Sequence, residues 1–403
     1  IISTFELFKE QQRLYKRPSY FDLTKHLKLM NEFLLVLATI ERNGIKIDFE
    51  QLHKVKKDYE KEKEELEQAL QDVAAEVMGD TPVNFASPEQ VGQLIYSRKV
   101  KNKKEWARHF NIGLNEKGKP LLRPRMSLSH FVKSVRMLTS RVFKTKARQC
   151  SQCFGKGIIH KIKKDGTRWK NPTKCKNCSG KGYILIPLHK IGGLHMNPRD
   201  IKDVSANGFA TDKTTLVRLL EVAKHNGNHN AVKFLTAAVR LNAVDVYLSS
   251  FVGGIARNTR SNNVLHPKFN QCVTRTTRLS SSDPNFQNQP RGTTFPVRAV
   301  VVSRFKNGQI MQADYSQLEF RVAAQLCGDD KMKKDILEGQ DVHKYTASII
   351  FRKDEKDITK EERTSAKAHT FKPLYGGFSG TPNEMAYYKA FVDKYPKLGE
   401  WHD

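Results

Sequence analysis

The chain has 403 residues, with 70 Lys or Arg against 42 Asp or Glu and a formal net charge of +28. That length allows two or three domains with a sizeable core, and that charge points to a polyanionic partner, nucleic acid before any other. No apolar run in this sequence approaches the roughly 20 residues of a membrane-spanning helix, so no such helix is expected within it. Four of the six Cys form two Cys-x-x-Cys pairs, which suits a metal site in a reducing compartment better than a disulfide framework. The chain opens on Ile1 and stops mid-pattern at Asp403, as expected of an internal piece of a longer protein.

In chain order, the apolar stretch Phe33–Ile40 closes on Arg42-Asn43-Gly44, a helix-stop signal. Leu52, Val55, Tyr59, Leu66, Leu70, Val73 and Val77 recur at helical spacing and predict one long helix over 52–77, stopped at Gly79. Ser87-Pro88-Glu89 reads as an N-cap with Pro at the first helical position, and Val91, Leu94 and Ile95 supply the apolar side. Residues 99–205 change character: between 141 and 190 there are 14 Lys or Arg and one acid, Asp165. We read them as an insertion between helical arms. Helical periodicity returns at 214–223 and 231–248. The polar stretch 262–278 holds strand-like pieces such as Cys272-Val273-Thr274. Val297–Val302 and Ile310–Tyr315 predict two strands joined by a hairpin through Asn307-Gly308, hence an antiparallel sheet. From Leu318 onward the pattern is helical. Cys272 and Cys327 are expected as packing residues.

Within the insertion, Cys150-Ser-Gln-Cys153-Phe-Gly-Lys-Gly157 is echoed by Cys175-Lys-Asn-Cys178-Ser-Gly-Lys-Gly182. Two such pairs 21 residues apart suit tetrahedral Zn²⁺ with four thiolates, which leaves no open position and marks the ion as structural. A redox role would fit one pair, not two. The string resembles the zinc regions of chaperones and zinc ribbons. Its basic flanks could grip duplex phosphates or serve only solubility.

Residues 311–321 read Met-Gln-Ala-Asp-Tyr-Ser-Gln-Leu-Glu-Phe-Arg. Asp314 alone is most simply a solvated carboxylate at a strand end, yet Mg²⁺ takes only one or two carboxylates and keeps its waters, so it is also a sensible ligand. Arg363, Lys367, Phe371 and Tyr375 are four apart, which places them along one slowly winding helix face. A basic end suits phosphates and an aromatic end a nucleobase; an ordinary amphipathic helix with snorkelling cations has the same spacing. Pro373 predicts a kink or an end to that helix. Residues 274–290 read Thr-Arg-Thr-Thr-Arg-Leu-Ser-Ser-Ser-Asp-Pro-Asn-Phe-Gln-Asn-Gln-Pro.

Together these strings resemble family A DNA polymerases, the group that includes bacterial DNA polymerase I and many bacteriophage replicases. The resemblance implies an α+β right-hand fold, with helical thumb, antiparallel palm sheet and helical fingers, here carrying a small zinc-ribbon-like insertion. Residues 1–48 then lead in after a missing upstream domain. The thumb is 49–255, interrupted by 99–205 with its zinc module at 148–184; 256–329 is partial palm and 330–403 partial fingers. Phe33–Ile47, Asn84-Phe-Ala-Ser-Pro88 and Asn207–Leu220 look like family segments as well.

By the same resemblance Asp314 binds the catalytic Mg²⁺ through its carboxylate and Tyr315 through its carbonyl. Glu319 crowds the sugar 2′ position, and Gln317 and Arg321 line the site. Arg363 and Lys367 hold the triphosphate, Lys367 donates the proton to pyrophosphate, Phe371 stacks by the nucleotide and Tyr375 lies near the template. Asp341-Val342-His343 matches a string whose His contacts phosphate. Arg278, Asn285, Gln287 and Asn288 touch primer–template, with Thr277 where the family has Gly.

The implied reaction is template-directed addition of a deoxynucleotide to a primer 3′-hydroxyl in a bacterial or phage-infected cytoplasm. The partners are primer–template DNA and deoxynucleoside triphosphates, with a processivity factor or a C-terminal polymerase piece as further candidates and no membrane. The third family motif, with a second metal-binding Asp, is expected beyond Asp403; His402-Asp403 reads as a helix end instead. The chain alone is therefore expected to be inactive. The competing readings are a zinc-containing DNA-binding module without catalysis, half of a split polymerase, and a single-subunit RNA polymerase, against which Glu319 and Phe371 speak.

Overall fold

The computed structural model describes residues 6, 9–11, 13, 23–114, 119–160, 162–163, 170–274, 276–290 and 296–402, except for the side chains of Leu23, Thr24, His26 and Ala368. Asp165, Arg275 and Asp403 lie outside them. The architecture is mixed helix and sheet, in two compact units, Ile1–Gln309 and Ile310–Asp403. The division falls inside the stretch read as palm.

In the first unit the helix Leu23–Asn43 ends at Gly44, as the stop signal predicts. Gly44 has φ +65°, and a Cβ there would lie 2.7 Å from the Leu265 carbonyl oxygen; only glycine tolerates both. The long helix runs Phe49–Met78, capped by Asp48, whose side chain accepts from the Gln51 N–H, and it stops at Gly79. Leu52, Val55, Tyr59, Leu70, Val73 and Val77 are buried as their spacing requires, and Leu66 packs half-buried beside them. The helix lies along His229–Val246, and Lys63–Asp245 and Arg240–Glu62 ion pairs tie the two. Ser87 caps Pro88–Tyr96 by accepting from the Gln90 N–H.

Residues 99–205 do not stand apart as a whole. Trp106, Phe110, Phe131, Val135, Leu138, Leu194, Met196 and Val204 belong to the same core as Leu70, Val77, Leu94 and Leu235. What projects from that core is a two-stranded ribbon, Phe143–Gln149 against Tyr183–Ile191, tipped by the cysteine pairs. The ribbon is cationic, and so is the stretch before it, whose aromatic residues are core.

The antiparallel sheet exists, but its partners differ from expectation. Ile45–Ile47 is the central strand, paired with Val264–Leu265 on one side and Val301–Val302 on the other. Pro296–Val300 winds into a 3₁₀ turn that buries Val297 and Val300. The hairpin through Asn307-Gly308 does not form, and 310–315 is in no strand. Ile310 and Met311 are exposed, so no covered face rewards strand pairing there. Cys272–Thr274 is likewise bent rather than extended; the strands nearby are Lys268–Asn270 and Ser280–Ser282. Cys272 is exposed with φ +61°, not a packing residue, whereas Cys327 packs against a hydrophobic cluster.

The second unit is helical from Leu318, as the sequence predicts: Leu318–Cys327, Asp330–Leu337, Val342–Phe351, Lys360–Leu374, Pro382–Lys394 and Pro396–His402. Its core is aromatic, with Phe320, Tyr387, Tyr388, Phe391 and Tyr395 fully buried. No helix among the described residues is long and apolar enough to cross a membrane.

Candidate metal centre and nucleotide site

The four cysteines converge. Cys150, Cys153, Cys175 and Cys178 are all buried, and their sulfurs lie within 4.8 Å of one another. Cys150 and Cys175 are 3.8 Å apart, Cys153 and Cys178 3.6 Å. Tetrahedral bonds of about 2.3 Å to one zinc ion would place sulfurs about 3.8 Å apart, so the cluster fits that ion. The Gly157 N–H donates to Cys153 Sγ at 3.3 Å and the Gly182 N–H to Cys178 Sγ at 3.2 Å, the same bond in each knuckle. Asn177 Nδ2 donates to Cys150 Sγ. Burial raises the Cys150 thiol, but the N–H donors around it outweigh burial and bring it down to about 6, which suits a thiolate ligand; at Cys153 burial and the three neighbouring thiols prevail and push it up to about 11.

The glycines explain the Gly-x-Gly in each repeat. A Cβ on Gly157 would sit 2.3 Å from the Gly180 carbonyl oxygen, and one on Gly182 would sit 2.3 Å from that of Gly155. All four have positive φ. Each turn is thus pressed against the other's backbone.

In the second unit the helix Lys360–Leu374 begins with a capping box, Thr359 with Glu362, and ends one residue after Pro373, as its Pro predicts. It brings Arg363 beside Asp341: Arg363 Nε donates to Asp341 Oδ2 at 2.6 Å. Asp341 also caps the helix Val342–Phe351, its Oδ1 accepting from the His343 and Lys344 N–H groups. Burial raises the Asp341 carboxyl, and Arg363 with those N–H donors more than offsets it, holding the group below its ordinary range. The pairing uses Nε, so the terminal guanidinium nitrogens are not spent on it.

His343 is buried, with Nδ1 3.0 Å from Thr370 Oγ1, and burial, then the Arg363 charge, lowers its pKa. Phe371 packs edge-on against it, ring centroids 5.5 Å apart. Lys367 is exposed on the intervening turn. Arg363, His343 and Phe371 are therefore one group, with Asp341 and Thr370 as its supports. The sequence named Asp341 only as part of a string, and Thr370 carried no signal at all.

Asp314 and Tyr315 are exposed, outside regular structure. Among the described residues no hydrogen bond or ion pair engages the Asp314 carboxylate. Gln317 takes φ +51° at the start of the helix Leu318–Cys327, and its side chain reaches the Gln340 carbonyl. Arg321 Nε donates to the Ser316 carbonyl at 2.8 Å, bracing that turn. Glu319 and Tyr375 come together as walls of an open cavity of about 440 Å³ with Leu318, Val322, Trp401 and His402. His402 Nε2 is 3.1 Å from the Pro373 carbonyl, in keeping with its reading as a helix end.

In the first unit Asn285 and Asn288 line a groove of about 410 Å³ with Arg257, Asn258 and Ser250. Arg257 escaped sequence reasoning because no string contains it. The Asn285 side chain accepts from the Gln287 and Asn288 N–H groups, so its oxygen shapes the loop. Arg278 and Gln287 are exposed. Thr277 keeps φ +57°, the conformation a glycine would take at no cost.

Residues 188–402 match DNA polymerase family A. The chain is 40% identical over 147 residues to a thermostable DNA polymerase I of Thermus filiformis, which covers 34% of this chain and 18% of that protein. It is 31% identical over 200 residues to DNA polymerase I of Bacillus subtilis, 47% of this chain and 21% of that protein. The chain therefore matches about a fifth of the length of these curated relatives. Among solved structures, the POL domain of Pol1 from M. smegmatis, in complex with DNA primer-template and dNTP, superposes with a TM-score of 0.52 at 19% identity, covering 91% of this chain and 47% of that one. That likeness carries the fold, and the family match carries the descent: the chain belongs to DNA polymerase family A.

Proposed function

We propose that the protein is part of a template-directed DNA polymerase that adds deoxynucleotides to a primer 3′-hydroxyl during replication, with a structural zinc centre in its thumb. The observation that carries the catalytic reading is the grouping of Arg363, His343 and Phe371 around Asp341 in a family A chain. Arg363, its orientation fixed through Nε, and Lys367 take the triphosphate, and Lys367 protonates the departing pyrophosphate. Phe371 stacks on the incoming base, Glu319 crowds the 2′ position, and Tyr375 lies by the template. Arg278, Asn285, Gln287 and Asn288 contact primer–template without reading sequence.

The open carboxylate of Asp314 and the Tyr315 carbonyl fit Mg²⁺, which keeps most of its waters. When bound, the cation neutralises charge on the phosphates and activates the 3′-oxygen. Two-ion chemistry takes carboxylates on both sides, and Asp314 is the one carboxylate that our reading assigns to Mg²⁺ among the described residues. This favours a second reading for the 403-residue chain by itself: primer–template binding without extension.

The test is paired. Lys367→Ala in the chain weakens binding of a fluorescent deoxynucleoside triphosphate at least tenfold. In a form competent for extension, Asp314→Asn abolishes nucleotide addition with duplex affinity intact, because it removes the anionic ligand and keeps the shape. Extension at the unsubstituted rate by Asp314→Asn refutes the metal assignment. Robust extension by the unsubstituted 403-residue chain refutes the second reading.

A further inference from the structure

Residues 141–190 contain 14 Lys or Arg and a single acid, a net +13 of the chain's +28 in about an eighth of its length. The described cations Lys146, Arg148, Lys156, Lys174, Lys176 and Lys181 are exposed, and none of them takes part in an ion pair among the described residues. Like charges crowded on a narrow ribbon repel one another, so they weaken the element that carries them unless something outside the chain neutralises them.

The ribbon is built to hold these charges in place. At its root the Gly79 backbone bridges to Thr145. The Asp80 N–H donates to the Thr145 carbonyl at 3.0 Å and Asp80 Oδ2 accepts from the Ala147 N–H at 2.7 Å. The hydroxyls of Thr81 and Thr145 are 2.6 Å apart, and Lys144 Nζ donates to the Glu76 carbonyl. The return strand is fastened too, the Gly193 N–H donating to the Val77 carbonyl at 3.0 Å. At the far end the cysteine cluster closes the tip.

Between root and tip, Lys146 pairs in register with Ile186 and Arg148 with Ile184. Residues two apart on a strand share a face about 6.7 Å from one another, so the two cations form a stripe with isoleucines beside it. The knuckle adds Lys176 and Lys181. A fixed row of exposed cations with no internal partner, on a chain whose family acts on DNA, fits the regular negative charge of a duplex backbone better than an irregular acidic protein surface.

We propose that the strands Phe143–Gln149 and Tyr183–Ile191, with the cysteine knuckles at their tip, are a clamp for the phosphate backbone of duplex DNA, holding it without reading its sequence. The proposal rests on the reading of primer–template as partner, and its test separates the two. Fluorescence anisotropy of labelled primer–template duplex is measured with the full chain across a salt series. The comparison is between the unsubstituted chain, the variant Lys146→Gln/Arg148→Gln/Lys176→Gln/Lys181→Gln, and a control, Lys54→Gln/Lys57→Gln, on the exposed face of the long helix. Each lost phosphate contact lowers the slope of log affinity against log salt by about 0.9, so the ribbon variant should lose about 3.6 of that slope and at least tenfold in affinity. The control should lose neither.

Zinc content and melting temperature equal to the unsubstituted chain show that the ribbon variant is folded; should it fail to fold, the pair Lys176→Gln/Lys181→Gln is read instead, with a slope loss of about 1.8 expected. Duplex binding with unchanged slope in the folded ribbon variant overturns the clamp and leaves the DNA reading standing. No duplex binding by the unsubstituted chain overturns both. Displacement of duplex by polyglutamate of equal charge as readily as by unlabelled duplex assigns the surface to an acidic protein and overturns the clamp.

Discussion

On the function proposed, the cysteine cluster and the Asp314 segment are opposite solutions to holding a cation. The four cysteines come from two turns of one short ribbon and are buried, and the second of each pair, Cys153 and Cys178, receives an N–H bond from its own repeat. Asp314 stands exposed in an irregular stretch, with its helix starting four residues later. A site that serves stability can be enclosed by its own turns; the site proposed for reaction is left open, and its Arg363–Asp341 pair joins the starts of two separate helices.

That contrast can be broken experimentally. The largest effect is expected of Cys153→Ser: zinc is lost, the ribbon 143–191 becomes sensitive to limited proteolysis, and the unit 310–403 keeps its own melting transition. Zinc retained at one ion per chain would show that the enclosure tolerates three thiolates. Next, Gly182→Ala places a methyl group 2.3 Å from the Gly155 carbonyl oxygen at positive φ; a loss of about 3 kcal/mol in ribbon stability is expected, read by chelator competition for the metal. An unchanged competition curve would mean that the two knuckles do not press on each other.

On the open side, Asp341→Asn keeps a good N-cap and removes the negative charge that faces Arg363. The pair is about a third exposed, so the stability cost is only about 1 kcal/mol, whereas triphosphate affinity should drop several-fold. A drop in stability with unchanged triphosphate affinity would make Asp341 purely structural. The pH dependence follows from His343. Its folded pKa lies below the unfolded value of about 6.5, so the unfolded chain binds the proton more readily. Stability of the 310–403 unit is then full above that value and declines as pH falls through it; His343→Gln should flatten the decline in thermal melts. The smallest effect is Thr277→Gly, which relieves a left-handed threonine and should stabilise by about 0.5 kcal/mol, a small upward shift in melting temperature.

What could be read in the sequence divides along the same line. Helices with a strong period and a cap, such as Phe49–Met78 and Pro88–Tyr96, were legible to within a few residues, because their burial and their ends are decided locally. The cysteine cluster was legible for the same reason. The strand expected at Ile310–Tyr315 was not, since strand formation needs a partner and a covered face that no local pattern announces. Nor was the true partner of Val301–Val302, which arrives from Ile45–Ile47 about 250 residues earlier. Of the group proposed to take the nucleotide, Arg363 and Phe371 were visible as a spacing, but Thr370 behind His343 could be seen only once the helices were packed.

The reciprocal contact of the knuckles carries one more consequence. Gly157 lies against Gly180 and Gly182 against Gly155, so each turn is the mould in which the other is cast. Neither half has a surface to fold on by itself. Metal uptake should accordingly be all-or-none along the ribbon, with no stable species in which one Cys-x-x-Cys pair is ordered and the other is not.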